Sequence, residues 1–151
     1  MIQEKLGGLN VREASLEEIF RVHQLIQDFP EKIGLDFYEA RLANVLYLAL
    51  VAESDGELVG FKVGYQSDRA ETFYSWMGGV VTEFRKFGVA TALADFQESW
   101  AMEKGFKDIF FKTRNRFPAM ISFGLNRGFK IMKVIPKGGV EDYRIVMMKS
   151  L

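Results

Sequence analysis

One segment limits the possible folds of this chain more than any other: a short basic turn between an apolar strand and an amphipathic helix. An apolar run ends in Gly78–Val81, and the turn Arg85–Thr91 follows it. The first N–H groups of a helix have no acceptor within the helix, and the helix dipole adds positive charge at the same point. The pattern predicts either a phosphate-binding turn or an ordinary strand–helix turn with solvated cations.

Three residues of the turn favour the phosphate-binding alternative. Gly88 lets the backbone approach an anion closely, because glycine has no side chain. Arg85 and Lys86 each add a full positive charge beside it. We therefore expect the turn to suit a phosphate or pyrophosphate group.

Composition excludes several kinds of site. The chain has 151 residues, 48% apolar and 26% charged, which is ordinary for one globular domain. It has no cysteine, which excludes disulfides, thiolate catalysis and cysteine-based zinc sites, and its one histidine, His23, excludes a histidine-rich metal site within one chain. No apolar run is long enough to span a bilayer, and the first residues lack the apolar core of a signal peptide. We expect a cytoplasmic protein that does not engage membranes.

Charge is divided unevenly along the chain. Residues 1–83 carry seven Lys or Arg and fourteen Asp or Glu, a balance of 7 − 14 = −7, whereas residues 84–151 carry thirteen and six, a balance of 13 − 6 = +7. A basic C-terminal half favours a polyanionic ligand, and an acidic N-terminal half favours a cationic acceptor such as an amine. Alternatively, the two halves attract each other within the fold. Zero net charge and the lack of interleaved aromatic and basic residues argue against nucleic acid.

Strand and helix signals follow the order β-α-α-β-β-β-α-β-α-β-β. Ser15 and Glu18 form a capping box at the first helix, and Asp36 is a candidate cap of the second. Asp55-Gly56 predicts a hairpin turn. After the basic turn, helical spacing predicts one buried stripe: Val89, Leu93, Phe96 and Trp100. The order predicts an α+β fold with a mixed sheet.

The basic turn also resembles a known family motif. The spacing Arg85-x-x-Gly88-x-Ala90 is similar to the coenzyme A pyrophosphate loop of the GNAT acyltransferase superfamily, whose pattern is Gln/Arg-x-x-Gly-x-Gly/Ala. The lead-in Val81–Phe84 resembles the one in that family. Asn115 and the pair Gly128-Phe129 resemble its later landmarks, and order and spacing agree over roughly residues 9 to 150.

The resemblance implies a mainly antiparallel sheet of about seven strands with four helices, splayed between the fourth and fifth strands. It implies that residues 1–151 form a single domain. It also implies that the protein is an acetyl-CoA-dependent N-acetyltransferase and needs no metal. The acetyl group would pass to a primary amine of a small molecule or peptide by direct attack in a ternary complex. Pairing of the final strands across subunits would allow a homodimer. Two other readings stay open: a non-catalytic CoA-binding sensor or interaction module, and a structural domain whose turn binds no nucleotide.

The resemblance also assigns cofactor-binding residues in the fourth strand, the turn and the fifth strand. The strand end would hold the pantetheine arm and offer a backbone N–H to the thioester carbonyl. Gly78-Gly79 within that strand predicts a bulge or a close ligand approach, or a bulge that serves packing alone. The expected cofactor-binding residues are Gly79, Val80, Val81, Arg85, Lys86, Phe87, Gly88, Val89, Ala90, Thr91 and Asn115.

No residue is assigned to acid–base catalysis. Family members often carry a carboxylate on the fourth strand, but here Glu71 precedes that strand and Glu83 follows it. Many members also have a tyrosine four residues before the Gly-Phe pair, and this chain has Gly124 there, preceded by Phe123. Ser122 and Tyr143 carry hydroxyl groups with the chemistry of a proton donor, but their positions do not match that of the family tyrosine. Two alternatives remain open: a positioned water acts as the base, and the thiolate leaves without a proton from a protein acid.

Overall fold

The computed structural model describes residues 8–26, 29 and 33–151. Within them the strands are β1 (Leu9–Glu13), β2 (Tyr47–Ser54), β3 (Glu57–Gln66), β4 (Thr72–Val80), β5 (Asp108–Arg114), β6 (Lys130–Ile135) and β7 (Arg144–Ser150). The α-helices in the same residues are α1 (Leu16–Leu25), α2 (Leu35–Leu42), α3 (Val89–Glu103) and α4 (Pro118–Asn126). Single 3-10 turns cover Thr82–Phe84 and Val140–Asp142.

The seven strands form one sheet in the order β1-β2-β3-β4-β5-β7-β6. Strands β1 and β2, β2 and β3, β5 and β7, and β6 and β7 pair antiparallel, whereas β4 and β5 pair parallel. The parallel ladder covers only three positions, from Thr72↔Asp108 to Tyr74↔Phe110, and then ends. The predicted α+β class, the mainly antiparallel sheet and its opening between the fourth and fifth strands are confirmed.

Two compact units divide the chain. The first combines Met1–Tyr65 with Met77–Trp100, and the second combines Gln66–Trp76 with Ala101–Leu151. Strand β4 contributes its first residues to the second unit and Met77–Val80 to the first.

Each unit has its own apolar core. In the first unit the most buried side chains come from α1, α2, β2 and β3, and include Ile19, Tyr38, Leu48, Leu50 and Phe61. In the second unit aromatic rings meet edge to face: Phe73 on Phe106 at 5.1 Å and Phe111 on Phe129 at 5.0 Å between centroids. Burial of these large side chains is the main stabilising contribution.

The N-terminus of α1 is held by the predicted capping box and by an ion-pair network. The Ser15 hydroxyl accepts the Glu18 N–H, and the Glu18 carboxylate accepts the Ser15 N–H. Arg12 on β1 donates to Glu18 at 2.6 Å and to Glu53 on β2 at 3.2 Å. Hydrogen bonding from Arg12 lowers the pKa of Glu18 to about 2. One arginine therefore joins two strands and the helix start.

The lowered pKa of Glu18 predicts acid sensitivity. The carboxylate ionises more readily in the folded chain than in the unfolded one, so its stabilising effect is present above about pH 4.5 and is lost as the pH falls towards 2. We expect Glu18→Gln to lower the Tm at pH 7 by about 2–4 °C and to flatten the loss of stability across this window. Thermal unfolding at pH 7, 4.5, 3.5 and 2.5 would measure both effects.

A matched control for this prediction is Glu17→Gln. Glu17 lies in the same turn of α1, and its side chain makes no ion pair with any residue in the described ranges. If Glu17→Gln and Glu18→Gln have the same pH profile, the Arg12 contact does not contribute to acid sensitivity.

Two local predictions are wrong. The cap of α2 is Gly34, and Asp36 lies within the first turn of that helix. The buried face of α3 is also rotated from the predicted stripe, because Phe96 and Trp100 are only half-buried while Gln97 and Ala101 are buried. The Nε2 group of Gln97 has no hydrogen-bond partner within the described part of the chain.

Across residues 8–26, 29 and 33–151, no helix combines the length and apolar character needed to cross a membrane.

Candidate functional site

The basic turn after β4 has an unusual backbone. Lys86 adopts a φ of +67° and Gly88 a φ of +87°. A side-chain-bearing residue in this left-handed region costs about 1–2 kcal/mol, so Lys86 is held there by the surrounding chain. An added Cβ at Gly88 would have no described atom within 4 Å. The turn therefore presents a strained backbone beside open space, a combination typical of ligand-binding loops.

The helix that follows this turn begins with unsatisfied donors. The Ala92 N–H donates to the Gly88 carbonyl at 3.0 Å, which makes Gly88 the N-cap of α3. The next three N–H groups, of Val89, Ala90 and Thr91, can have no acceptor within the helix. Glycine has no side chain with which to cap them, and no other acceptor for them occurs within the described residues.

The electrostatics of the helix start also favour an anion. The first turn of α3 contains no acidic residue, so nothing on it neutralises the positive end of the helix dipole. Lys86 is exposed immediately before it. An ordinary solvated turn would more often carry Ser, Thr, Asp or Asn at the N-cap. The geometry fits the predicted phosphate-binding turn.

The end of β4 is fixed by hydrogen bonds on one side. The Val81 N–H donates to the Val59 carbonyl on β3 at 2.8 Å, and the Val81 carbonyl accepts the Phe84 N–H. Both backbone groups of Val81 are thus engaged within the protein. Successive residues of an extended strand direct their N–H groups to opposite sides, so Val80 points its N–H away from β3. Val80 is therefore better placed than Val81 to offer a donor to a ligand.

Arg85 ties the turn back to the strand. Its Nε donates to the Val80 carbonyl at 3.0 Å. The sequence predicts Arg85 as a source of positive charge and as a cofactor-binding residue, and this contact gives it a further role in positioning the turn. The signal for this role was absent from the sequence, because it depends on the turn folding back over the strand end.

Two glycines bring the helix and the strands close together. A Cβ at Gly60 on β3 would lie 3.0 Å from the Val89 side chain and 3.2 Å from the Gly79 carbonyl. A Cβ at Gly79 would lie 2.8 Å from Ile26 and 3.7 Å from Phe29. Both positions are too crowded for a side chain. Packing alone is sufficient to explain Gly79, and Gly60 seats the start of α3 on the sheet.

A buried polar pair lies among the aromatic residues beside Gly79. His23 Nδ1 and Tyr38 Oη are joined by a hydrogen bond of 2.5 Å, and the His23 ring stacks on Phe29 with centroids 4.2 Å apart. Burial lowers the pKa of His23 and raises the pKa of Tyr38, so both are neutral near pH 7. The sequence pattern singled out His23 but not Tyr38. Only the packing of α2 on α1 brings them together.

In the second unit, Asn115 belongs to a clamp between two connections. Its Nδ2 donates to the Val140 carbonyl at 2.9 Å, and the Arg116 N–H donates to the Glu141 carbonyl at 2.9 Å. The Arg116 guanidinium makes two hydrogen bonds to Asp142, of 3.0 and 3.1 Å, and holds the pKa of that carboxyl below its ordinary value. The Asn115 amide therefore has a structural partner of its own.

Gly124 lies against the sheet in the same unit. A Cβ there would come within 2.7 Å of the Phe111 ring and 3.0 Å of the Met147 side chain. Phe111 and Met147 are almost fully buried, on β5 and β7 respectively. The space that a side chain at Gly124 would need is filled by these two residues.

Comparisons with known proteins bear on this arrangement. The family described as "Acetyltransferase (GNAT) family" matches residues 14–129. The chain belongs to the GNAT acetyltransferase family. No curated protein sequence matches it significantly. The matched range includes the strand end, the turn and the start of α3, and extends to Phe129.

Solved structures share the GNAT fold at low sequence identity. Ard1 from Thermoplasma volcanium is 22% identical with a TM-score of 0.82, and the match covers 95% of this chain and 98% of that one. The ribosomal-protein-S18-alanine N-acetyltransferase from Escherichia coli is 14% identical with a TM-score of 0.79, covering 94% and 93%. NAA60 of Arabidopsis thaliana, in complex with a bisubstrate analogue, is 16% identical with a TM-score of 0.73, covering 94% and 97%.

Among GNAT proteins this chain departs from the expected acid–base groups. This chain has Gly124 at the position where many members are expected to have a tyrosine. The ring of Phe111 fills the space that a side chain there would need. Glu71 is exposed and pairs with Lys107 at 3.4 Å, while Glu83 is exposed in the 3-10 turn. Ser122 is exposed on α4, and Tyr143 follows the second 3-10 turn. No group of three or more His, Asp or Glu that could hold a metal ion occurs within the residues described.

Proposed function

We propose that the protein transfers the acetyl group of acetyl-CoA to a primary amine. The observation that carries this proposal is the start of α3, where the N-cap is Gly88 and three consecutive N–H groups have no acceptor among the residues that the structure describes. Acetyl-CoA carries a pyrophosphate that these donors and Lys86 suit in charge and geometry. Membership of the GNAT acetyltransferase family supports acetyl transfer in general.

Different residues of the first unit would then bind different parts of acetyl-CoA. Val89, Ala90 and Thr91 would donate their N–H groups to the pyrophosphate, with Lys86, Phe87 and Gly88 shaping the turn. Arg85 would position the turn through Val80. The Val80 N–H would face the thioester carbonyl, where a donor stabilises the tetrahedral oxyanion. Gly79 and Val81 would contribute through packing and strand geometry, and Asn115 remains a candidate contact to the pantetheine arm through its amide oxygen.

The reaction proposed is direct attack in a ternary complex. The neutral amine nitrogen forms a bond to the thioester carbon, and the tetrahedral intermediate collapses as the carbon–sulfur bond breaks. The amine proton passes to water, and the CoA thiolate leaves. A thiol pKa of about 8.5 makes this leaving group stable enough to depart without a protein acid. Proximity of the two reactants supplies much of the acceleration.

The acceptor is proposed as a peptide or small-molecule amine. Support for a peptide comes from one structural neighbour, the Escherichia coli protein, which is described as an alanine N-acetyltransferase of ribosomal protein S18. We place the reaction in the cytoplasm. The chain has no cysteine, so it forms no disulfide that would require an oxidising compartment. A homodimer through the final strands is compatible with the same function.

Thermal unfolding with and without acetyl-CoA tests the proposal, with ADP and pantetheine as control ligands. A concentration about a hundredfold above the dissociation constant adds about 2.7 kcal/mol, or roughly 5–10 °C in Tm. We expect a shift of this size with acetyl-CoA and a smaller one with ADP. If millimolar acetyl-CoA leaves the Tm unchanged, the turn binds no cofactor and the proposed function fails.

A non-catalytic CoA-binding module is the second candidate. The packing of Phe111 and Met147 around Gly124 favours it, because no proton donor can occupy that position. The two candidates differ in thiol release. Release of free CoA thiol during a screen of amines and peptides supports the transferase, whereas a thermal shift without any thiol release supports the binding module.

A further inference from the structure

One face of the sheet in the second unit is left open. Residues directly opposite each other in an antiparallel ladder lie on the same face. The ladder between β5 and β7 pairs Phe110 with Met148 and Lys112 with Val146. Tyr74 on β4 joins them, because its ring stacks on Phe110 with centroids 4.6 Å apart. We call this surface the open face.

Strand β6 adds two lysines to the open face. Met148 pairs with Lys130, and Val146 pairs with Lys133, with a register shift between Ile131 and Lys133. In a regular strand, residues three apart point to opposite faces. The bulge removes this alternation, so Lys130 and Lys133 both lie on the open face.

On β5 and β7 the two faces differ sharply in burial, whereas every residue of β6 is exposed. On the opposite face, Ile109, Phe111 and Met147 are at most 5% exposed. On the open face, the apolar residues Val146 and Met148 are only half-buried, and Lys112, Lys130 and Lys133 are exposed. The open face therefore combines partly exposed apolar side chains with exposed cations.

Asp108 also lies on the open face, four residues before Lys112 on β5, but the three lysines are not paired with it. Lys112 lies over the Tyr74 ring at 5.4 Å from its centroid. Neither it nor Lys130 or Lys133 makes an ion pair with any residue from 8–26, 29 or 33–151. A concentration of unpaired cations raises the local potential and attracts negative charge.

We propose that the open face binds an extended acidic segment of a protein partner. Carboxylates of the segment would pair with Lys112, Lys130 and Lys133, and its apolar side chains would contact Val146 and Met148. Among the described residues β6 is the last strand of the sheet, so its outer edge can also pair with the backbone of such a segment. This inference goes beyond the proposed function, because binding requires neither acetyl-CoA nor transfer.

Charge and shape favour this occupant over two others. A second copy that presented the same face would bring like charges together, which is unfavourable. Single-stranded nucleic acid needs exposed aromatic rings on which bases stack, but Tyr74 and Phe110 already stack on each other. Aliphatic side chains between the lysines are better suited to the apolar residues of a peptide.

Fluorescence anisotropy without acetyl-CoA tests the proposal. The probe is a fluorescein-labelled peptide of about ten residues, rich in Glu and Asp with interspersed Val, because a strand of this length covers β6. The comparison probe has Gln and Asn in place of the acids. We expect binding of the acidic probe only, weakened by added salt. Reversing both β6 charges, Lys130→Glu with Lys133→Glu, should weaken binding by about tenfold or more.

The matched control is Lys149→Glu. Lys149 lies on β7 but on the opposite face, where it contacts the Phe129 ring. The variant lowers the net charge, as the double variant does, but away from the open face. We therefore expect it to leave binding of the acidic probe within about twofold. Thermal unfolding of each variant verifies its fold. Equal binding of the neutral probe, or undiminished binding by the double variant, overturns the proposal. Tighter binding of a single-stranded oligonucleotide that the double variant loses would also overturn it, in favour of nucleic acid.

Discussion

Substitution of Gly88 by valine is expected to weaken acetyl-CoA binding on the order of a hundredfold while the protein still folds. Gly88 has a φ of +87° and no described atom within 4 Å of an added Cβ. A valine would fill the space in which the anion is proposed to lie. It would also shift the N–H groups of Val89 and Ala90, and two charge-assisted hydrogen bonds of about 1.5 kcal/mol each account for this loss.

The fold should survive because the site around Gly88 is open. The penalty of a left-handed residue with a Cβ is about 1–2 kcal/mol, equivalent to a fall in Tm of roughly 2–8 °C. Isothermal titration calorimetry with acetyl-CoA measures the affinity, and thermal unfolding without ligand measures the stability.

The matched control is Gly105→Val, at the other end of α3. Gly105 has a φ of +91° and also has no described atom within 4 Å of an added Cβ. It should lose similar stability and keep its affinity for acetyl-CoA. An unchanged affinity in Gly88→Val, or an equal loss in Gly105→Val, would show that the turn does not hold the pyrophosphate.

Introducing a tyrosine at Gly124 is expected to destabilise the protein by about 3 kcal/mol, or roughly 6–12 °C in Tm. The ring would collide with Phe111, whose Cζ already lies 2.7 Å from the position of a Cβ, and with Met147. The better helix propensity of tyrosine over glycine offsets only about half a kcal/mol. Thermal and urea unfolding measure the effect.

Two further variants isolate the cause. Leu125→Tyr places the same side chain at the next position of α4, where Leu125 is 50% exposed, and should change stability by less than about 0.5 kcal/mol. Phe111→Ala empties the space that the tyrosine needs. The double variant should therefore be less destabilised than the sum of the single ones, by about 1–3 kcal/mol. Additive losses would show that Phe111 does not fill this space.

Local patterns identified most elements and the turn that joins β4 to α3. The capping box of Ser15 and Glu18 forms as predicted, since it joins residues three apart in the chain. Gly88 was identified as a special position from its place between a strand and a helix, and its left-handed backbone agrees with that interpretation. The prediction of Asp36 as a cap is wrong, because the helix begins at Leu35 with Gly34 as its N-cap, which places Asp36 inside the first turn.

Contacts between distant parts of the chain decided the details of the candidate site. The Val81 N–H is taken by Val59, and Arg85 is bound to Val80, although neither pairing has a signature in the sequence. The burial of Gln97 in place of Phe96 depends on the rotation of α3 about its own axis. A hydrophobic pattern fixes that rotation only approximately when apolar residues lie on several sides of the helix.

The sequence by itself determined the order of the strands and helices and the position of the basic turn, and the resemblance of its motifs to the GNAT family implied the splayed sheet. The order and the turn follow from periodicity, caps and glycines, which act over a few neighbouring residues. Only the tertiary structure decided that Phe111 fills the space at Gly124, that Tyr38 meets His23, and that a bulge in β6 places Lys130 and Lys133 on one face. Each of these depends on the register of two strands or the packing of two elements, which no local pattern specifies.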